Sequence, residues 1–124
     1  MDCIQKPKVK NFQDLEIWKR GIKLVENIYT ATRSFPKEEI YGLSSQLRRA
    51  AVSVPSNIAE GFSRASSNEF EQFLYISRGS SSEVATQLII AKNLNYIIDK
   101  KAEILLKETE EISKMTMSLI KKLK

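Results

Sequence analysis

Between Gln46 and Ser66 the chain reads QLRRAAVSVPSNIAEGFSRAS, and within it Gln46, Arg49, Ser53, Asn57 and Glu60 recur every three or four residues. On a helix that spacing gathers two amides, a guanidinium, a hydroxyl and a carboxylate along one edge. Such a set can bond to a neighbouring helix and fix its register or the geometry of an oligomer, or it can hold a polar ligand. A counterpart set, Ser80, Glu83 and Gln87, follows at similar spacing. If the two helices run antiparallel about a turn at 63–67, Arg49 falls opposite the 80–83 region. Its planar fork then suits the Glu83 carboxylate. The structural network is preferred over the ligand site for these eight residues.

Catalytic chemistry is poorly provided for. Glu60 and Glu83 resemble the carboxylates of metal sites inside helical bundles, but those sites pair glutamate with histidine, and the chain has no histidine. The same absence removes a histidine base. Ser34 to Lys37 and Ser118 to Lys121 fit Ser-x-x-Lys without the other elements of serine acylases. No glycine-rich phosphate loop is present. The expectation is a protein that is not an enzyme and needs no cofactor or metal.

Charge points elsewhere. Twenty basic against fifteen acidic residues give +5, a moderate bias toward anionic partners such as nucleic acid. Lys19, Arg20 and Lys23 fall on the polar arc of the first helix, Arg48 points away from the apolar line of the second, and Arg64 flanks the following turn. These five are the candidate nucleic-acid contacts, through phosphates rather than bases. Trp18, Phe70, Phe73 and Tyr75 sit at helical spacing and are read as core rather than base-stacking groups.

Four helical patterns position these residues, with 124 residues and 42% hydrophobic content enough for one domain over 1–124. Residues 1–11 are expected to be a flexible lead-in. They hold the single cysteine, Cys3, so no internal disulfide can form. No signal or membrane segment is read there, and a cytoplasmic location is expected.

The first helix, about 14–34, carries two apolar stripes: Leu15, Trp18, Ile22, Val25, Tyr29, and Ile17, Gly21, Leu24, Ile28, Ala31. That is more apolar face than an outer helix of a monomeric bundle needs. SFPKEE closes it and opens the second helix, with Glu38 and Glu39 favouring the helix N-terminus. The line Leu43, Leu47, Ala50, Val54, Ile58, Gly61 keeps its phase across Pro55. One kinked helix is therefore expected, with small neighbours allowing close packing that offsets about 3 kcal/mol for an interior proline.

Ser66 with Glu69 reads as a capping box for a third helix, about 67–94, in which Gly79 is tolerated in the interior where a close approach would justify it. Asn95 is read as a left-handed cap and Asp99 as the cap of a fourth helix carrying Leu105, Ile112, Met115 and Leu119. The fold class is all-α, an antiparallel up-down four-helix bundle.

FQDLEIWKRGIKLVENIY, FPKEEIYGLSSQLRRAAVSVPSNIAEG and SNEFEQFLYISRGSSSEVATQL together resemble the four helix bundle proteins encoded by intervening sequences of bacterial 23S ribosomal RNA genes. The likeness runs from Phe12 to about Tyr96, with Asn95 where the family is expected to have glycine. It implies a homo-oligomeric ring, a homopentamer. The family is similar in turn to accessory proteins of diversity-generating retroelements, which implies a basic adaptor for RNA or DNA and for a nucleic-acid enzyme such as a reverse transcriptase. The alternative is a homo-oligomeric protein-interaction scaffold with no nucleic-acid role.

Overall fold

A computed structural model describes residues 10–124; Cys3 and most of the expected lead-in lie outside the described residues. At its edge, Asn11 is already ordered by chemistry. Its side chain accepts from the Gln13 N–H at 2.8 Å, and Asp14 reaches back to the Lys10 and Asn11 N–H groups, closing a capping box on a 3₁₀ turn at Phe12–Asp14.

Four helices follow: α1 (Glu16–Thr32), α2 (Leu43–Phe62), α3 (Ser67–Asn93) and α4 (Asp99–Leu123). Each packs on the next, α4 packs back on α1, and the diagonal pairs stay apart, which is the up-down bundle expected from short connections. No described helix is long and apolar enough to cross a membrane.

The two apolar stripes of α1 separate in the structure. Ile17, Gly21, Leu24 and Ile28 are buried, whereas Trp18, Ile22 and Val25 form a half-buried shoulder and Tyr29 is 40% exposed. Leu15 of the same stripe is buried, and Trp18 and Val25 pack against the core, so the apolar face left over in one chain is narrower than the stripe suggests.

Pro55 lies inside an uninterrupted α2 and is buried. A Cβ added to Gly21 would stand 3.1 Å from the Pro55 Cβ, so the ring fills the notch that the glycine leaves in α1. The carbonyls just before the proline are tied by side chains. Ser77 donates to the Val54 carbonyl at 2.8 Å, and the Asn57 amide donates to the Ser53 carbonyl at 2.9 Å. Full burial of Val54 and Ile58 on either side contributes about 1.5–3 kcal/mol each, enough to offset the interior proline.

The second helix opens later than its sequence suggests. Lys37–Glu39 forms a 3₁₀ turn, and α2 begins at Leu43 after Gly42. Glu39 still serves the N-terminus of α2, because its Oε1 accepts from the Leu43 N–H at 2.9 Å while its Oε2 accepts from the Tyr96 hydroxyl at 2.9 Å. The Leu43 N–H first, and then the Tyr96 hydroxyl, hold the Glu39 carboxyl below its usual range. With Phe35 against Tyr96 at 5.6 Å, these bonds fasten the α1–α2 connection to the α3–α4 connection.

Ser66 caps α3 by accepting from the Glu69 N–H at 3.2 Å. Its own hydroxyl turns toward the Glu69 carboxylate at 3.5 Å, so the return half of the capping box is missing. Asn95 has φ 63°, and the Tyr96 and Asn95 N–H groups bond to the Ala91 and Lys92 carbonyls in a Schellman close. Asp99, read as a cap, occupies the first turn of α4 instead. Ile98 holds the cap position without a side-chain bond.

Along α4 the buried line is Ala102, Leu105, Thr109, Ile112, Thr116 and Ile120, while Met115 and Leu119 are only half-buried. The two threonines enter the core because each hydroxyl donates back to the carbonyl four residues earlier at 2.7 Å.

Candidate nucleic-acid interface

The five basic candidates end in different surroundings. Lys19 is exposed and forms no ion pair among the described residues. Lys23 is exposed as expected, with Glu26 at 4.0 Å, a contact too loose to hold it.

Arg20 is a correction. It is not on the exposed arc but folded across the α1/α4 seam, where its guanidinium meets Glu108 at 3.0 Å and Glu111 at 2.6 Å and donates to the Met115 sulfur at 3.2 Å. Glu108 first, then Glu111, raises the Arg20 pKa further above its ordinary value, and Arg20 in turn lowers that of Glu111. With its donors and charge committed to two carboxylates, the Arg20 guanidinium is not free to meet a phosphate. Its role is to clamp α1 to α4.

Arg64 is likewise engaged, 2.8 Å from Glu60 and lying over the Phe73 ring at 4.9 Å. Glu60 thereby leaves the polar edge to which its spacing assigned it.

Arg48 also departs from expectation. It turns back onto α1, donating from Nε to the Thr32 hydroxyl at 2.8 Å and stacking over Tyr29 at 4.8 Å. Both contacts fix the guanidinium plane without neutralising its charge.

The proposed Arg49–Glu83 pair does not form. Both residues are exposed, and neither has an ion partner among the described residues. The part of the seam that exists is smaller. Ser53 and Ser80 share a hydrogen bond of 2.7 Å across α2 and α3, and Asn57 donates to the Ser53 hydroxyl at 2.8 Å. Gln46 stays exposed, and the buried Gln87 Oε1 has no hydrogen-bond partner.

Arg49 instead shares with Arg48 an open cleft of about 550 Å³, lined also by Tyr29, Ile40, Ser45, Val52 and Ser53. No carboxylate lines it. Two adjacent guanidiniums, one held rigid, beside the Ser45 hydroxyl match the oxygens of a phosphate group. The adjacent arginines were visible in the sequence, but the reading placed them on separate faces because a step of one residue turns a helix by about 100°. Both side chains are long enough to close that angle. No group of histidine, cysteine, aspartate and glutamate among the described residues could hold a metal ion.

No curated protein matches the sequence. The solved structure of a protein of unknown function from the S23 ribosomal protein family of Bacteroides thetaiotaomicron VPI-5482 is similar in fold. It is 22% identical, with a TM-score of 0.77, over 85% of this chain and 98% of that one. The model of the 23S rRNA-intervening sequence proteins matches residues 13–118, which include all of α1, α2 and α3 and most of α4, and the chain belongs to that family.

Proposed function

We propose that the protein is a non-enzymatic adaptor that binds structured RNA or duplex DNA through phosphate contacts, and that it does so as a homo-oligomeric ring. The observation that carries the reading is the Arg48–Arg49 cleft, where two cationic groups are left without a carboxylate partner. Exposed Lys19 and Lys23 supply further positive field on α1. Repetition around a ring multiplies that field, and the half-buried shoulder of α1 supplies apolar surface for assembly. The likeness to retroelement accessory proteins adds a nucleic-acid enzyme as the adaptor's second partner.

Phosphate binding releases counterions. Affinity measured by fluorescence anisotropy should therefore fall with salt, by roughly one unit of log-log slope per phosphate neutralised, with little sequence preference. Arg49→Glu should weaken binding of every sequence by about tenfold or more and reduce the salt slope. Lys114→Glu, on the far side of the bundle and beside Glu110, should change it little. Absence of binding by the wild-type protein at low salt would leave the scaffold reading, which the exposed side chains of Ile98 and Ile104 favour.

A further inference from the structure

At the end of the bundle away from the α2–α3 turn, the α1/α4 seam opens into a groove of about 590 Å³. Half-buried Ala31 and buried Ile97 and Leu105 form its floor, exposed Ser34 lies at its rim, and Ile98 and Ile104 stand along the α4 side. These two isoleucines are 64% and 60% exposed, more than any other large aliphatic side chain among the described residues. Arg33 and Lys101 also line the groove, no carboxylate does, and neither cation has an ion partner among the described residues. The carboxylates of this seam, Glu108 and Glu111, are engaged by Arg20, thirteen residues or about 20 Å from Arg33 along α1.

We infer that this groove docks a short amphipathic helix of a partner protein, with acidic residues flanking its apolar stripe. Three observations fit a helix. The α1/α4 contact is the sparsest of the four helix pairs, so the seam leaves room. Ala31 and Ser34 permit close approach. Ile98, at the cap of α4, and Ile104, inside its second turn, stand more than one helical turn apart, room for a large apolar side chain between them.

Charge decides the kind of helix. A partner carboxylate beside its apolar anchor meets Arg33 or Lys101, whereas a basic helix meets two like charges. The same argument disfavours isologous, two-fold pairing with a second copy of this chain, whereas a ring contact would set the groove against a different face, the case that the mass measurement below decides. Two-fold self-pairing of the groove would set Arg33 and Lys101 of one chain against those of the other.

The test uses the full chain and two labelled synthetic helical peptides with one leucine stripe, flanked in the first by glutamates and in the second by lysines. Fluorescence anisotropy should show the glutamate peptide binding at least about tenfold more tightly than the lysine peptide, with the difference shrinking as salt rises. Arg33→Glu combined with Lys101→Glu should reverse the preference. Ile104→Asp, at an exposed position, should weaken the glutamate peptide about tenfold, while Arg49→Glu should leave it unchanged, separating this site from the phosphate cleft. Equal affinity for the two peptides, or binding of neither, overturns the inference. A drop in assembled mass on Ile104→Asp, seen by light scattering, also overturns it by giving the groove to a second copy.

Discussion

The α2/α3 seam and the α1/α4 seam join antiparallel helices of the same bundle by opposite means. Across α2 and α3 small side chains bring the backbones close, and several of the polar atoms there are paired. Gly61 lies so near α3 that an added Cβ would stand 2.6 Å from the Phe73 Cβ, Ser77 donates to the Val54 carbonyl, and Ser53 meets Ser80. Across α1 and α4 a single long side chain, Arg20, spans the gap to two glutamates, and beyond it the seam opens into a groove. The first seam is close-packed along its length, with buried Val54, Ile58, Phe70, Leu74 and Ser77 at its centre. The second is held at a point and leaves surface uncovered. Tight packing and open surface lie on different edges of one fold.

The largest effect should come from breaking the tight seam. Phe70 is 1% exposed, stacks edge-on against Phe62 at 5.7 Å and lies beside Gly61. Phe70→Ala should cost about 3–5 kcal/mol in chemical denaturation, because neighbours already in contact cannot collapse into the space.

The ionic seam should yield less. Arg20→Met should cost about 1–2 kcal/mol, since its side chain is 28% exposed and water screens part of the attraction. The loss should also depend on pH in a definite direction. The Glu111 carboxyl is held below its usual value, chiefly by Arg20, so its contribution is present above the unfolded carboxylate range and disappears as pH falls through the lower, folded value. Wild type and Arg20→Met should therefore converge in stability at pH well below the ordinary glutamate value of about 4.3. A difference that persists there would mean that Arg20 acts through its aliphatic packing and its contact with Met115.

How much of this was legible depended on whether periodicity or side-chain reach decided the outcome. The continuity of α2 through Pro55 and the left-handed Asn95 could be read, because both are local consequences of phase and backbone preference. The surplus face of α1 was legible in part, and is narrower than its stripe suggests. The core threonines of α4 were missed because a polar residue that bonds its own helix looks like a surface residue in a list. The basic residues were misplaced for a different reason. Periodicity locates a Cβ, but an arginine head lies several ångströms beyond it. Arg20 and Arg48 use that reach to cross to α4 and α1 respectively. The register of α2 on α3 came out near enough for Ser53 and Ser80 to meet, while Arg49 and Glu83, one turn further along, point into solvent instead of at each other.

The smallest expected effect is the one that bears on assembly. Gly79 was expected to be tolerated where a close approach would justify it, yet an added Cβ there meets nothing within 4 Å, and its φ does not lie in the left-handed region. Within one chain the glycine carries only the cost of its backbone freedom in the middle of α3. Gly79→Ala should therefore raise thermal stability by about 0.5–1 kcal/mol and leave the assembled mass unchanged. The surrounding surface makes that outcome informative, because Ile76 and Ile90, on the same outward side of α3, are 51% and 41% exposed. If a neighbouring chain packs against this face, the new methyl group meets its backbone or side chains, the gain disappears and light scattering reports a smaller particle. That result would move the assembly surface from the shoulder of α1 to the outer face of α3, and would explain the glycine by a contact that one chain alone does not contain.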